Sequence, residues 1–217
     1  MVSGQTAPGR FIAFEGGEGC GKSTQARLLV DALTAAGIRA VLTREPGGTP
    51  GAEAIRGLLL DPPGDGWGAE AEALLFAAAR ADHVAKLIRP SIADGVWVVS
   101  DRFVDSSRAY QGGAGGVGDD AVQALHAVGS GGLRPDLTIL LTVDPDTAVA
   151  RTRARDGDTA DAIGGREAEY HRAVGETFAR LADADPSGFA VIDTSAPADA
   201  VHQAVWRAVA PLIGSGK

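Results

Sequence analysis

A glycine-rich segment that ends in Lys22 and Ser23 carries the clearest chemical signal in the chain. The residues from Gly16 to Ser23 read Gly-Gly-Glu-Gly-Cys-Gly-Lys-Ser and fit the pattern G-x-x-x-x-G-K-[ST] completely. Glycines in such a loop let successive backbone N–H groups point inward at phosphate oxygens, and a following helix adds its partial positive charge. We expect Lys22 to reach the β- and γ-phosphates of a nucleotide and the Ser23 hydroxyl to ligate Mg²⁺.

The elements around this loop have the order that the motif requires. The apolar run Phe11–Phe14 predicts a buried strand before the loop, and residues 22–36 predict a helix after it, which Gly37 ends. Further strands are predicted at 40–43, 96–99, 137–142 and 190–192, and helices at 49–60, 70–94 with a break near Pro90, 119–128 and 197–213. Uninterrupted apolar strands that alternate with helices indicate a parallel sheet covered on both faces.

The predicted fold is therefore of the α/β class. We expect a three-layer αβα sandwich of the P-loop NTPase type, with a five-stranded parallel sheet and a mobile lid. Neither a repeat nor a long linker interrupts the pattern, so residues 1–217 are predicted to form a single domain. Residues 1–9 are expected to be a disordered tail.

Composition excludes several classes of protein. The formal net charge of -8 and the pI near 4.9 argue against a nucleic-acid-binding surface, which normally has a basic excess. The single cysteine, Cys20, excludes a disulfide framework within the chain and fits a reducing compartment. No run approaches the roughly 18 apolar residues of a membrane span, and the first ten residues lack the apolar core of a signal peptide. We expect a cytoplasmic protein without membrane or nucleic-acid partners.

A second glycine pattern points to a different class of site. Gly113, Gly115 and Gly118 satisfy G-x-G-x-x-G, the dinucleotide-binding fingerprint. That motif must follow a strand, whereas residues 105–111 predict a helical turn. We therefore interpret residues 112–118 as a flexible connecting loop.

The residues around Asp101 narrow the choice among phosphate-loop proteins. A GTPase would need an N-K-x-D segment after a strand, and the sequence has none. Val96–Asp101 loosely fits the apolar run ending in an acid that helps to bind Mg²⁺, but Arg102 follows directly. A cation beside a metal-binding carboxylate suits a second anionic substrate and favours a nucleotide kinase. Asp101 would organise Mg²⁺ directly or through water, or else hydrogen-bond a loop amide. Arg102 would bind the second anionic substrate, or else form a surface salt bridge.

Five segments of the chain resemble the thymidylate kinase family, in the family's order and over nearly the whole length. They are Phe14-Glu-Gly-Gly-Glu-Gly-Cys-Gly-Lys-Ser-Thr24, Thr43-Arg-Glu-Pro-Gly-Gly-Thr49, Leu74-Leu-Phe-Ala-Ala-Ala-Arg80, Ser100-Asp-Arg-Phe-Val-Asp-Ser-Ser-Arg-Ala-Tyr-Gln111 and Arg134-Pro-Asp-Leu-Thr138. The resemblance implies phosphorylation of dTMP to dTDP by MgATP, in dTTP biosynthesis. It also implies the bacterial branch of the family and a homodimer, for which the alanine-rich helix at 70–90 offers a packing face.

The resemblance also implies roles for the charged residues. Arg102 would hold the dTMP phosphate with Arg56 as a second contact, and Arg44 would assist or merely brace its loop. Glu18 would engage the acceptor sugar's 3′-hydroxyl and nearby water or metal. The residues implied to bind ATP are Gly16, Gly17, Glu18, Gly19, Cys20, Gly21, Lys22, Ser23, Thr24 and Arg151.

The nucleoside pocket is implied in the same way. Pro46 would form one wall, Phe76 would stack on thymine, and Arg80 would hydrogen-bond the carbonyl edge of the base. Ser107 and Gln111 match positions that contact the pyrimidine edge, and Tyr110 would pack close to the sugar. Phe76 and Arg80 lie four residues apart on a helix, so both project from one face.

Arginines at two-residue spacing mark the predicted lid, which covers about residues 151–166. Arg151, Arg153 and Arg155 cannot all share one helix face, so one or two of them would reach ATP. An arginine that arrives on closure can stabilise transition-state charge. Family lids carry an arginine and an acid where this chain has Asp161-Ala-Ile-Gly164. We assign the catalytic role first to Arg153, with Arg166 as the alternative. If these arginines have no functional role, they form the basic, solvated end of a helix.

Catalysis would then rest on alignment and charge neutralisation rather than on a general base. The acceptor phosphate, with a second pKa of about 6, is largely ionised at neutral pH. The catalytic residues are predicted to be Lys22, Arg102, Arg153 and Glu18, with Ser23 and Asp101 at the metal. A kinase for another nucleoside monophosphate and a non-catalytic nucleotide-binding switch remain the alternatives.

Overall fold

Five parallel strands form the central sheet, in the order β2-β3-β1-β4-β5. The computed structural model describes residues 8–156 and 168–214. The strands are β1 Phe11–Glu15, β2 Ala40–Arg44, β3 Trp97–Asp101, β4 Leu137–Thr142 and β5 Phe189–Asp193. Each begins within one residue of its predicted start, and the five-stranded parallel sheet is confirmed.

Helices cover both faces of this sheet. They are α1 Lys22–Ala35, α2 Pro50–Leu60, α3 Ala69–His83, α4 Arg89–Ala93, α5 Val104–Ser107, α6 Asp119–Ser130, α7 Pro145–Asp156, α8 Ala168–Ala184 and α9 Ala198–Gly214. Two π-helical segments, Val84–Ile88 and Arg108–Ala114, connect α3 to α4 and extend α5. Among the helices that the structure describes, none combines the length and apolar character needed to cross a membrane.

Alternate side chains of β1 are buried in two different hydrophobic cores. Ile12 and Phe14 are buried in a cluster with apolar residues of α1 and α9. Phe11 and Ala13 are buried in a second cluster, with Val84 and neighbouring residues on the opposite face of the sheet. Because successive side chains of a strand point to opposite faces, this uninterrupted apolar strand joins the two cores. The αβα sandwich predicted from the sequence is confirmed.

Three local expectations need correction or fall outside the described residues. Gly9 is buried and its N–H donates to the carbonyl of Ile92 at 2.8 Å, so Gly9 is held in the fold although the predicted tail covers 1–9. Residues 1–7 of that tail lie outside the described residues. No break occurs at Pro90, since α3 continues through a π-helical turn into α4. A proline in the first turn of a helical segment needs no backbone N–H, which explains why the helix continues.

The glycine-rich segment after Gln111 is also less flexible than predicted. Gly112 to Ala114 complete the second π-helical segment, and Gly112 is buried. A side chain at Gly113 would collide with Thr177 of α8, at 2.4 Å from its hydroxyl oxygen. The flexible loop predicted over residues 112–118 is therefore wrong for its first three residues, where glycine permits close packing against α8.

Candidate active site

The glycine-rich loop lies between β1 and α1, and Lys22 folds back over it. The Lys22 ammonium is buried and donates to the carbonyls of Gly16 at 3.1 Å and Gly17 at 2.6 Å. Gly21 precedes α1 with a φ of 91°, a left-handed conformation that a side chain would strain. The buried Cys20 thiol donates to the carbonyl of Gly17 at 3.0 Å, inside the loop. The sequence pattern thus forms a strand–loop–helix unit that suits phosphate binding.

Two oxygen ligands meet beside this loop. Asp101 ends β3, and the strand register pairs it with Phe14 of β1, which brings its carboxylate to the start of α1. The Ser23 hydroxyl donates to this carboxylate. A hydroxyl and a carboxylate are hard oxygen donors of the kind that Mg²⁺ prefers when phosphates complete its coordination. The pair fits the predicted metal site.

Arg102 connects the phosphate loop with the rest of the site. It has a φ of 72°, in the left-handed region that residues with side chains seldom adopt. Its guanidinium donates to the Gly16 carbonyl at 3.3 Å and to the Tyr110 hydroxyl at 3.3 Å, and it forms an ion pair with Glu18. It also lies over the Tyr110 ring, 4.9 Å from the centroid. Three predicted site residues therefore converge on one guanidinium.

A buried acid, Glu15, holds the turn that carries Arg102. Its Oε1 accepts from the backbone N–H of Phe103 at 2.9 Å and of Ser106 at 3.0 Å. Ser106 in turn accepts from Arg102 at 3.1 Å. Burial, followed by repulsion from Asp105, raises the pKa of Glu15 to about 8. Sequence reasoning gave Glu15 no role, although an acid directly after an apolar strand was a signal that could have found it.

A second buried network fixes Arg80. The Arg80 guanidinium donates to Glu45 at 2.7 Å and to the Ser107 hydroxyl at 2.8 Å. His83 contacts the other Glu45 oxygen through Nδ1 at 3.1 Å and the Thr43 hydroxyl through Nε2 at 2.7 Å. Glu45 and His83 were missed in the sequence, although Glu45 lies inside one of the five quoted segments. The network leaves the Arg80 side chain little freedom to reorient.

One cavity of about 870 Å³ joins these parts. Its walls are formed by Glu18, Gly19, Gly21, Lys22, Ser23, Thr24, Arg44, Glu45, Pro46, Arg56, Leu60, Phe76, Asp101, Arg102, Ser106, Tyr110, Gln111 and Arg151. Most of the predicted site residues thus share a single cavity. Arg80 and Ser107 are not among the lining residues, but Arg80 contacts the lining residue Glu45. Gly16, Gly17 and Cys20 are residues of the loop that do not line the cavity.

Arg44 and Arg56 both line this cavity and both contact the loop after β2. Arg44 forms an ion pair with Glu53 at 3.2 Å, and Glu53 also accepts from the Gly48 N–H at 2.9 Å. Arg56 donates to the Pro46 carbonyl at 2.8 Å. For Arg44, the bracing contact is the one observed. Both arginines add positive charge to the cavity wall, where an anion could bind.

The arginines of α7 separate into two environments. Arg151 lines the cavity and donates to the Thr194 carbonyl at 2.9 Å. Arg153 is exposed and borders a separate surface depression, so the structure does not bring it to the other site residues. The side chain of Arg155 and residues 157–167 lie outside the described residues, and with them Arg166 and most of the predicted lid. The catalytic role of Arg153 stays a prediction.

Comparison with known proteins identifies the family. The family model for thymidylate kinase matches residues 14–205. The chain belongs to the thymidylate kinase family. Thymidylate kinase of Rhizorhabdus wittichii is 51% identical over 95% of this chain and 99% of its own, and that of Bradyrhizobium sp. (strain ORS 278) is 48% identical over 93% and 89%. The crystal structure of thymidylate kinase from Ehrlichia chaffeensis superposes with a TM-score of 0.76 at 32% identity, covering 93% of this chain and all of that one.

Family membership confirms two expectations from the sequence. The resemblance carried by the five segments is confirmed, and so is the assignment as an ATP-dependent nucleoside monophosphate kinase that converts dTMP to dTDP. The comparisons identify the family without assigning individual side chains.

Proposed function

We propose that ATP and dTMP meet in the cavity described above, with the acceptor phosphate at Arg102. The observation that carries this proposal is the position of the guanidinium, which contacts the phosphate loop through Gly16 and Glu18 and the other half of the cavity through Tyr110. A planar guanidinium between two anionic substrates can bind one phosphate with a bidentate pair and neutralise charge on the other.

The donor phosphates lie in the glycine-rich loop in this proposal. Lys22 exchanges the Gly16 and Gly17 carbonyls for phosphate oxygens, and the backbone N–H groups from Gly17 to Thr24 complete the cradle. Arg151, beside Thr194 at the edge of the cavity, is placed to contact the nucleotide from the opposite side.

Mg²⁺ would be held by the Ser23 hydroxyl and Asp101, directly or through water. When bound, the ion neutralises charge on the donor phosphates. The support is the donor set itself, because the hydroxyl and the carboxylate already contact each other next to the loop. Asp101 arrives there from β3, whereas Ser23 belongs to the first turn of α1.

The transfer step needs no general base on the protein. An ionised oxygen of the dTMP phosphate forms a bond to the γ-phosphorus of ATP, while the bond from that phosphorus to the bridging oxygen breaks and ADP leaves. Lys22 and Arg102 hold the two substrates in line and offset the charge on the transferred group. Arg153 would join them by movement of α7, since its side chain lies outside the cavity.

The nucleoside of dTMP occupies the end of the cavity away from the phosphate loop. Phe76 and Pro46 supply apolar walls there, and Gln111 supplies an amide. Arg80 lies behind the wall at this end, where it donates to the Ser107 hydroxyl and forms an ion pair with Glu45. Arg44, at the end of β2, and Arg56, on α2, would approach the acceptor phosphate. Glu18 would reach the sugar's 3′-hydroxyl once it exchanges its contact with Arg102.

We further propose a cytoplasmic homodimer. The exposed apolar residues Leu74 and Val128, with 55% and 89% of their surface accessible, lie on α3 and α6, which pack against each other. Exposed apolar side chains on neighbouring helices are typical of protein interfaces. A chain with one cysteine and ATP as substrate fits a reducing, nucleotide-rich compartment.

The test is an ADP-release assay with dTMP, dCMP, dGMP and dUMP as acceptors, run with wild type and with Arg102→Ala. The proposal expects the highest kcat/KM with dTMP, and a loss of about 10²-fold or more in Arg102→Ala. Arg89→Ala, which changes an arginine outside the cavity, should leave turnover unchanged. Best turnover on dCMP or dGMP would contradict the placement of the base, and ATP binding without acceptor-dependent turnover would favour a nucleotide-binding switch.

A further inference from the structure

Glu72 contacts Gln111 at the nucleoside end of the cavity. The Gln111 side-chain amide donates from Nε2 to Oε1 of Glu72 at 2.9 Å. Both residues are nearly inaccessible, with 2% of Gln111 and 8% of Glu72 exposed. Glu72 lies on α3, one turn before Phe76, and Gln111 lies in the π-helical segment after α5. The contact thus joins two elements that enclose the same end of the cavity.

This contact determines which end of the amide points into the cavity. A side-chain amide has a donor end and an acceptor end, and either can face a ligand after rotation about its terminal bond. A carboxylate oxygen accepts hydrogen bonds and cannot donate them, so it retains the NH₂ end. With Nε2 bonded to Glu72, the carbonyl oxygen is the end of Gln111 that faces away from the carboxylate. Gln111 itself lines the cavity.

The orientation matters because pyrimidines differ in donors and acceptors at one edge. Thymine and uracil carry an N–H at N3 and a carbonyl at C4, whereas cytosine carries an acceptor at N3 and an amino group at C4. A carbonyl oxygen that faces N3 accepts a hydrogen bond from thymine or uracil and meets a lone pair in cytosine. Buried polar groups left without a partner in this way are a strong source of discrimination.

We propose that Glu72 is a positioning residue for pyrimidine selectivity, which fixes the Gln111 amide so that its carbonyl reads the N3–H of the base. The proposal rests on the placement of the base under Proposed function. It assigns Glu72 an effect on the choice between pyrimidine monophosphates rather than on phosphoryl transfer. Because thymine and uracil share the N3–H, this contact cannot distinguish between them.

The test compares kcat/KM for dTMP, dCMP and dUMP in wild type and Glu72→Gln. An amide at position 72 can either accept or donate, so Gln111 becomes free to present either end. We expect the ratio of dTMP to dCMP to fall by about tenfold or more, while the ratio of dTMP to dUMP stays unchanged. Glu70→Gln changes an exposed carboxylate on the same helix and serves as the matched control, with wild-type ratios expected.

Gln111→Ala separates this inference from the proposed site. If Glu72 acts through Gln111, then Glu72→Gln causes no further loss of dTMP-to-dCMP selectivity in the Gln111→Ala background. Unchanged selectivity in Glu72→Gln, with a loss in Gln111→Ala, would overturn the inference and leave the base placement intact. Unchanged selectivity in Gln111→Ala would overturn both. A loss of equal size from Glu72→Gln in both backgrounds would also overturn it, because Glu72 would then act by another route.

Stability is checked alongside by thermal unfolding. If Glu72→Gln lowers the melting temperature, Glu72→Met provides a second variant of similar size that also lacks a carboxylate. It should show the same loss of selectivity between dTMP and dCMP. Wild-type selectivity in a folded Glu72→Met protein would overturn the proposal.

Discussion

The cations in the cavity and behind its wall differ in the acceptors that hold them, and this difference predicts how each one works. Lys22 contacts two neutral carbonyls, which it can exchange for phosphate oxygens at little electrostatic cost. Arg80 contacts the carboxylate of Glu45, and both side chains of this ion pair are buried. A cation with a buried counter-ion is held in one orientation, as the recognition of a base requires. Lys22 is thus suited to charge neutralisation and Arg80 to positioning.

Lys22→Ala should reduce kcat by about 10²–10³-fold, because the variant loses a positive charge aimed at the transferred phosphoryl group. Steady-state ADP release measures the effect, and circular dichroism should show an unchanged fold. Lys86→Ala, which removes an exposed lysine on the π-helical turn after α3, is the control and should retain wild-type turnover. Near wild-type kcat in folded Lys22→Ala would refute the assignment.

Arg80→Lys should raise KM for dTMP by about tenfold while KM for ATP changes little. The substitution keeps a cation next to Glu45 but loses the planar fork that also donates to Ser107. Retention of the charge avoids the larger cost of an unpaired buried carboxylate, about 3–5 kcal/mol. Initial rates at varied dTMP and varied ATP distinguish the two effects, with Arg89→Lys as the control. An equal rise in both KM values would remove Arg80 from the nucleoside end.

At the scale of elements, the turn from Arg102 to Ser106 depends on one buried acid. Glu15→Gln should preserve this turn at neutral pH, since an amide can accept from the N–H groups of Phe103 and Ser106 and can donate to the Ser106 hydroxyl. We expect kcat within about threefold of wild type. Glu15→Ala leaves the buried N–H of Phe103 unpaired, at about 1–3 kcal/mol, and leaves the Ser106 N–H only its 3.2 Å contact with the Phe103 carbonyl, so it should lose both stability and activity.

The same pair of proteins gives a test of pH dependence. The pKa of Glu15 is raised from 4.5 to about 8 in the folded protein, chiefly by burial. Between these values the folded chain retains a proton that the unfolded chain has lost, so the free energy of unfolding falls as pH rises, by about 1.4 kcal/mol per pH unit from this group. The contribution is constant below and above that window.

Urea unfolding of wild type and Glu15→Gln at about pH 5.5 and about pH 7.5 isolates this contribution. The stability of wild type relative to the variant should be lower at the higher pH. Parallel pH profiles for the two proteins would show that Glu15 is ionised throughout the window, contrary to the expectation.

The helix α7 presents its two described arginine side chains on different sides, and their variants should behave differently. Arg151→Ala should raise KM for ATP by about tenfold, because Arg151 lines the cavity. If α7 moves as proposed, Arg153→Ala should lower kcat with little change in either KM, since the Arg153 side chain lies outside the cavity before that movement. Arg172→Ala on α8 serves as the exposed control. A wild-type kcat in Arg153→Ala would end its assignment as the catalytic arginine.

Elements that a single local pattern specifies, such as an apolar run or a sequence motif, could be predicted from the sequence. Elements that depend on tertiary packing could not. The apolar run at Leu137–Thr142 predicts a strand with the observed bounds, because an uninterrupted apolar run is typical of a doubly covered sheet. The π-helical turns were missed because they depend on packing against neighbours, as Gly113 against Thr177 shows. In the site, the phosphate loop follows from its motif. The acidic partners of Arg80 and Arg102, Glu45 and Glu18, come from distant segments, and no local pattern links them.

At the scale of the whole molecule, an acidic chain concentrates positive charge at one edge of its sheet. The net charge is -8, yet Lys22, Arg102 and Arg151 line a single cavity. Their strands and loops meet at the carboxyl ends of parallel strands, where open α/β sheets bind ligands. Overall charge therefore indicates little about this site, because the local field around a phosphate depends on the groups nearest to it.

The proposed homodimer links the molecular surface to the nucleoside end through α3. Glu72, Phe76 and Arg80 lie four residues apart along one face of this helix, whereas Leu74 is exposed on another. Leu74→Glu should convert a dimer into a monomer, because it places a charge in an apolar interface. Light scattering coupled to size exclusion measures the mass, and KM for dTMP should rise if α3 shifts. Val191→Glu, at an exposed apolar position on β5, is the matched control and should remain dimeric; a monomeric wild type would refute the proposal.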